Sequence, residues 1–218
     1  MLLIGVTGSI GSGKSTVCRL LELPHISTDA LTHQLIQSNS SKILHMFPDA
    51  ADENQGVDRK KLAKIVFADT QKRRQLESFI HPRIYLRVVI LLIVQFFYFT
   101  PAVVLEVPLL AENPWLAYFM NEIVLVKTQR NLQIRRVCSR DSSNEHDVSL
   151  RMQALCDDAS RELLASFVIE NDGDIQELKD KVGELKNLVW NRHSYNLQLV
   201  YPALILIALS ALIVFRYK

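Results

Sequence analysis

The feature that most constrains this chain is the stretch from Leu2 to Thr16, which reads LLIGVTGSIGSGKST. Leu2-Leu3-Ile4-Gly5-Val6 is a compact apolar run of the kind that forms a strand buried on both faces of a parallel sheet. It breaks into Gly8-Ser9-Ile10-Gly11-Ser12-Gly13-Lys14-Ser15, which fits the pattern G-x-x-x-x-G-K-[ST]. Glycines in such a loop let the backbone turn sharply and bring its N–H groups close to phosphate oxygens. Lys14 supplies a charge to the outer phosphates, and the Ser15 hydroxyl is a ligand for Mg²⁺. Thr16 to Leu21 read as the first turns of a helix whose positive end faces the same anion. Strand, loop and helix in this order make a phosphate-binding loop and predict an α/β fold with a parallel sheet.

At 218 residues the chain is long enough for one such domain with a small insertion. A formal charge of +2 without a polybasic run argues against nucleic acid as a partner. Cys18, Cys138 and Cys156 are widely spaced with no C-x-x-C pair, so neither a disulfide framework nor a zinc site is expected. A reducing compartment is the simpler reading. Met1 leads straight into the first strand, which leaves no room for a cleavable presequence.

Two runs concentrate the apolar residues. Val88 to Thr100 holds thirteen residues interrupted by Gln95, too short to span a bilayer and expected to be a buried helix leading to a strand. Leu199 to Phe215 holds seventeen residues with no charge; as a helix it reaches roughly 26 Å, near the thickness of a thin hydrocarbon core. Arg192 and His193 precede it, Arg216 and Lys218 follow it, and Tyr195 and Tyr201 sit where interfacial aromatics would. Pro202 falls near the start, where a helix tolerates it. Ser210 is the single polar side chain from Ala203 to Phe215, so a docked amphipathic helix fits less well than a membrane anchor. Basic residues on both sides leave its orientation undecided by charge; the remainder of the chain is expected on the cytosolic side.

Between these landmarks, Thr28-Asp29 precede a helical pattern at 30–36. Asp29, just past a short strand at His25-Ile26-Ser27, stands at the carboxyl edge where parallel sheets place their sites. It can cap the helix or act as a base toward a hydroxyl near the phosphate loop. Residues 38–82 read as polar helices with a loop at 48–56, and Leu62, Ile65, Val66, Leu76, Phe79 and Ile80 recur at helical spacing as core. So long a connection suggests an inserted helical region for a second substrate. His81-Pro82 is expected to end it, with His81 either structural or in contact with substrate.

Val103-Val104-Leu105-Glu106 is a second buried-strand signal that ends in an acid, suited to an outer-sphere Mg²⁺ contact or a substrate hydrogen bond. The alternative is a solvated carboxylate. Ile123 to Val126 is a third strand signal, followed by Lys127, Arg130, Arg135, Arg136, Arg140 and Arg151. Arg136 and Arg140 share a helix face. An arginine-bearing segment that closes over the charge of a γ-phosphoryl group is what phosphoryl transfer needs. Phe167-Val168-Ile169 reads as a final strand, Asn171-Asp172-Gly173 as a turn, and 175–190 as a closing helix.

Taken together, T-G-x-I-G-S-G-K-S-T, an Asp before a helix, His81-Pro82 after a helical insertion, Glu106-Val107-Pro108-Leu109-Leu110, an Arg-containing lid and a final N-x-G resemble dephospho-CoA kinase over about residues 1–190. The resemblance implies a P-loop NTPase three-layer fold of 1–190, with a helical acceptor-binding insertion at about 32–95 and a lid at about 127–155. It also implies transfer of the ATP γ-phosphoryl group to the 3′-hydroxyl of dephospho-CoA with Mg²⁺. It leaves aside residues 191–218, which the apolar run makes an expected single transmembrane anchor, in the endoplasmic reticulum or the mitochondrial outer membrane. Gly8, Ser9, Ile10, Gly11, Ser12, Gly13, Lys14, Ser15 and Thr16 would hold ATP, joined by Asn171 and Gly173. Asp29 would take the ribose proton, His81, Glu106 and Arg140 would serve the acceptor, Lys14 and Arg140 the transfer, and Ser15 and Glu106 the metal.

The chain departs from the family pattern at several positions. Ser27-Thr28-Asp29 stands where D-A-D is common, so only the second acid is kept. Glu106 replaces a more usual Asp, Ala111 a common aromatic, and Leu155 and Ser166 a usual Gln and Asp. Two further readings stay open from sequence: another P-loop small-molecule kinase, and a membrane-tethered nucleotide-binding protein without transferase activity. Oligomeric state is left open.

Overall fold

The computed structural model describes residues 1–53, 56–108, 110, 114–141, 144, 145, 148, 149, 152 and 158–193. In chain order the elements begin with β1 (Leu2–Thr7), α1 (Lys14–Leu20), β2 (His25–Ser27), α2 (Thr28–Ser38), α3 (Ser40–Met46), α4 (Arg59–Ala68) and α5 (Thr70–Phe97). They continue with β3 (Ala102–Glu106), α6 (Pro114–Tyr118), β4 (Glu122–Lys127), α7 (Arg130–Asp141), α8 (Asp158–Leu164), β5 (Phe167–Glu170) and α9 (Ile175–His193). Residues 194–218 lie outside the description, and with them the expected membrane helix; so do Leu109, Ala111, Glu112, Arg151 and Leu155.

Five parallel strands form one sheet in the order β2-β3-β1-β4-β5. The apolar run expected at the N-terminus is the central strand, and all of its residues are buried. β1 pairs with β3 from Leu2↔Ala102 to Val6↔Glu106, so the carboxyl ends of these two strands finish side by side, where the phosphate loop begins. On one face Leu2, Ile4 and Val6 alternate inward and meet Val17 and Cys18 of α1 and Leu21 at its C-terminal cap, as the period of two in a strand requires. The same core takes Leu178, Val182, Leu185 and Val189 of α9, one stripe of a 3.6-residue helix. Burying side chains of this size contributes about 1.5–3 kcal/mol each before entropy is counted, enough to fix α9 on the sheet.

The end of α9 carries a polar lock. Glu122, the first residue of β4, is 2% exposed. Arg192 Nη1 donates to its two oxygens at 3.1 and 3.2 Å, and His193 Nε2 lies 2.7 Å from Oε1. The Arg192 guanidinium also stands over the Phe167 ring at 4.8 Å. Burial raises the Glu122 carboxyl, but hydrogen bonds from His193, Ser166 and Arg192 outweigh it and hold the group below its ordinary value. Arg192 and His193, which precede the apolar run at 199–215, are thus tied to the first residue of β4.

The chain divides into two compact units, Thr28–Leu91 and the remainder. Within Thr28–Leu91, Leu31, Ile36, Ile43, Leu62 and Ile80 are buried. Asp58 caps α4 by accepting from the Lys60 and Lys61 N–H groups at 2.8 and 3.2 Å.

Two expectations are corrected in α5. His81-Pro82 does not end the helix; Pro82 lies inside it. Proline removes one N–H and crowds the preceding turn, and beside it Arg83 Nη1 donates to the Phe79 carbonyl at 2.6 Å. Cooperative hydrogen bonding through 28 residues outweighs one missing bond. The apolar run at 88–100 is buried on one face only: Val88 and Leu92 are covered, while Ile90, Val94, Phe97 and Phe99 are exposed. Among the described residues, α5 is long and apolar enough to cross a membrane by length and composition.

Candidate active site

The phosphate loop leaves β1 at Gly8 and enters α1 at Lys14. Gly13 has φ 96°, in the left-handed region that favours glycine. A Cβ there would stand 2.3 Å from Asn171 Nδ2. At Gly8 a Cβ would stand 2.3 Å from the Val126 carbonyl oxygen. The backbone therefore passes closer to its neighbours than any side chain permits. No side chain caps α1; the Thr16 and Val17 N–H groups donate to the Gly13 carbonyl at 3.0 and 3.1 Å, and the positive end of the helix points at the loop, where an anion is favoured. Lys14 is buried to 9% exposure and its Nζ donates to the Ser9 carbonyl at 2.9 Å, so the cation is folded over the loop it serves.

Glu106 forms the second half of the site. It ends β3 at 5% exposure, and the Ser15 hydroxyl donates to its Oε1 at 2.7 Å. Its other oxygen, Oε2, lies 3.1 Å from His25 Nε2 at the start of β2. A hydroxyl and a carboxylate this close are hard oxygen donors of the kind Mg²⁺ takes. The residues present thus fit that ion.

Three later segments hold the loop in shape. Asn171 Nδ2 donates to the Ser12 carbonyl at 2.8 Å. The Thr128 hydroxyl lies 3.0 Å from the same oxygen, and Arg136 Nη2 donates to the Asn171 carbonyl at 3.0 Å. Asn171, expected near the cofactor, thus commits its side-chain amide to the loop backbone. Arg136 is drawn toward the turn after β5, while Arg140 is exposed in the last turn of α7.

Arg161 on α8 was missed by sequence reasoning. It is 1% exposed and its Nη1 donates to Ser9 Oγ at 2.7 Å. Arginine is rarely buried unless its charge is matched, but nothing in the local pattern ASRELL separates it from a solvated helical arginine. Only contact with the loop does so.

Asp29 and His81 belong to the Thr28–Leu91 unit. Asp29 is exposed in the first turn of α2 rather than preceding it. Four residues on, burial and the Arg59 charge hold His33 below its ordinary value, with Asp29 opposing them. His81 is exposed, its ring 6.1 Å from that of Tyr85. Gly173 follows the Asn171 turn, where a Cβ would meet the Glu177 carboxylate.

A family model described as dephospho-CoA kinase matches residues 2–177. The chain belongs to the dephospho-CoA kinase family. A dephospho-CoA kinase of Thermus thermophilus is 32% identical over 182 residues, covering 82% of this chain and 87% of that protein. A dephospho-CoA kinase domain-containing protein of Danio rerio is 33% identical over 189 residues, covering 84% and 82%. Among solved structures, TT1252 from Thermus thermophilus superposes with a TM-score of 0.74 at 30% identity, covering 86% of this chain and 97% of its own. A shikimate kinase from Acinetobacter baumannii, at TM-score 0.52 and 13% identity over 88% and 94% of the two chains, shares the fold alone.

Within this dephospho-CoA kinase-like chain, two departures from the usual pattern have a local account. Ser166 Oγ accepts from the Ile123 N–H at 3.2 Å and supports Glu122. Ser27 ends β2 in register with Glu106.

Proposed function

We propose that this chain transfers the γ-phosphoryl group of ATP to the 3′-hydroxyl of the dephospho-CoA ribose, giving coenzyme A and ADP. The meeting of Ser15 and Glu106 at 2.7 Å beside a phosphate loop, in a chain of this family, carries the proposal. The acceptor oxygen attacks the γ-phosphorus, the bond to the β–γ bridging oxygen breaks, and the hydroxyl proton passes to Asp29. The loop amides from Gly8 to Thr16 cradle the phosphates, and Lys14 leaves the Ser9 carbonyl to follow the charge that moves onto the leaving oxygen. Arg140 serves the lid, and closure excludes water that would hydrolyse ATP. Ser15 and Glu106 would hold Mg²⁺, which supplies charge neutralisation to the β- and γ-phosphates. His81, Asn171 and Gly173 complete the acceptor and nucleotide sites by the family's pattern.

The deciding measurement is coenzyme A formed from ATP and dephospho-CoA by the full chain and by Asp29→Asn. Asparagine keeps the shape of aspartate but not its basicity, so kcat is expected to fall about 10²–10⁴-fold while ATP affinity holds. No coenzyme A from the unmutated chain would overturn the kinase reading. Equal rates from the two would remove Asp29 alone.

The tail of the segment 191–218, beyond the Arg192 and His193 contacts to Glu122, is proposed as a membrane anchor with the kinase domain facing the cytosol, supported by the uncharged run at 199–215. Full-length protein that partitions into the aqueous phase without detergent would rule the anchor out.

A further inference from the structure

Three side chains outside the phosphate loop converge beneath it. Cys18 lies on the sheet-facing side of α1, His25 opens β2, and Glu106 closes β3. The ladder pairs His25 with Val104 and Ser27 with Glu106. His25 and Glu106 therefore lie on the same sheet face, and Cys18 packs with Val104 on that face. The Cys18 Sγ, an imidazole nitrogen of His25 and a carboxylate oxygen of Glu106 all lie within 4.8 Å of one another. Cys18 and Glu106 are 1% and 5% exposed, and the partly exposed His25 side chain opens the cluster to solvent.

We propose that Cys18, His25 and Glu106 form a binding site for a divalent transition-metal ion of the zinc type. The donor set decides the class of ion. Thiolate, imidazole and carboxylate are the ligands that zinc takes, at about 2.3, 2.0–2.1 and 2.0–2.2 Å, whereas Mg²⁺ takes hard oxygens and no thiolate. A tetrahedral ion with such bonds spaces its ligand atoms by roughly 3.3–3.7 Å. The His25–Glu106 pair already stands at 3.1 Å, and the wider gaps close with side-chain movements of about 1 Å. Solvent supplies the fourth ligand, and the thiol proton leaves to solvent as the ion binds. Phosphoryl transfer uses neither Cys18 nor His25, but it does use Glu106. An ion held here pulls that carboxylate away from Ser15 and inhibits the kinase; this consequence rests on the function proposed above.

The test is titration of the reduced full chain with Co²⁺ alone, followed by absorption. One equivalent is expected to give a thiolate-to-cobalt charge-transfer band in the near ultraviolet, removed by one equivalent of Zn²⁺. The band should persist in Cys138→Ala/Cys156→Ala and vanish in Cys18→Ala, which should still bind ATP. His25→Val, which leaves the core cysteine in place, should weaken cobalt binding at least about tenfold, the scale on which zinc sites respond even to changes outside their direct ligands. Absence of the band from the parent chain, its survival in Cys18→Ala, or unchanged affinity in His25→Val would each overturn the site. In the activity arm, Zn²⁺ should inhibit the parent and spare Cys18→Ala. If the ion-free parent makes no coenzyme A yet gives the cobalt band, the kinase reading falls and the metal site stands.

Discussion

The Asn171 side-chain amide donates to the Ser12 carbonyl across 2.8 Å, tying the turn after β5 to the middle of the phosphate loop. Asn171 is 7% exposed and Ser12 fully buried, so the bond is shielded from water and cannot be exchanged cheaply for one to solvent. The same amide occupies the space that any side chain at position 13 would need. Loop shape and the final turn are therefore one construction.

Asn171→Ala removes that donor and leaves the Thr128 hydroxyl near the carbonyl. The expected cost is about 1–2 kcal/mol, read as roughly a tenfold rise in the Kd for ATP with a smaller change in melting temperature. Asn171→Asp, which faces an oxygen with an oxygen, should be worse. ATP titration of both variants decides it; affinity equal to the parent in each would deny Asn171 a part in shaping the loop.

Arg161 reaches Ser9 Oγ from α8. Arg161→Met keeps the aliphatic bulk and loses the charged donor, a bond worth about 1.5–3 kcal/mol. Transfer should fall roughly 10–100-fold by the same measure, with the fold retained by circular dichroism. A variant with parental kcat/KM would show that the contact is dispensable.

Lys14→Ala leaves the loop amides but takes away the mobile charge now resting on the Ser9 carbonyl. By analogy with the loss of one preorganised donor, kcat should drop about 10²–10³-fold. Unchanged transfer to any acceptor would count against phosphoryl chemistry at this loop.

Removal of the tail should be harmless after His193 and harmful after Trp190. The shorter chain loses Arg192 and His193 and leaves the buried Glu122 carboxylate with Ser166 but without its two cationic partners; since the Arg192 side chain is itself half exposed, the cost is that of lost charged hydrogen bonds, about 1.5–3 kcal/mol. Denaturant melts of the two chains test this, and equal midpoints would contradict it. A pH dependence accompanies it. Glu122 binds its proton less tightly folded than unfolded, so its contribution is complete above the ordinary glutamate value of 4.5 and lost as pH falls through the lower folded value. The chain ending at Trp190 should lack that acid-sensitive increment.

Sequence alone determined the central strand, the loop from Gly8 to Thr16 and the order of strands and helices, because these depend on local spacing: apolar runs, glycine positions and a 3.6-residue stripe. It also placed Glu106 at a strand end. It mistook Pro82 for a helix end, because one lost hydrogen bond looks decisive locally and is outweighed by 28 residues of cooperative helix. The bonds from Arg192 and His193 to Glu122 could not be read locally, because the partners lie some seventy positions apart. Burial of Arg161 and the approach of Cys18, His25 and Glu106 were equally hidden, since cysteine spacing argued against a metal site while the strand order β2-β3-β1 brought the three together. Such contacts depend on which strands become neighbours, and that is settled by packing across the whole sheet rather than by any window of sequence.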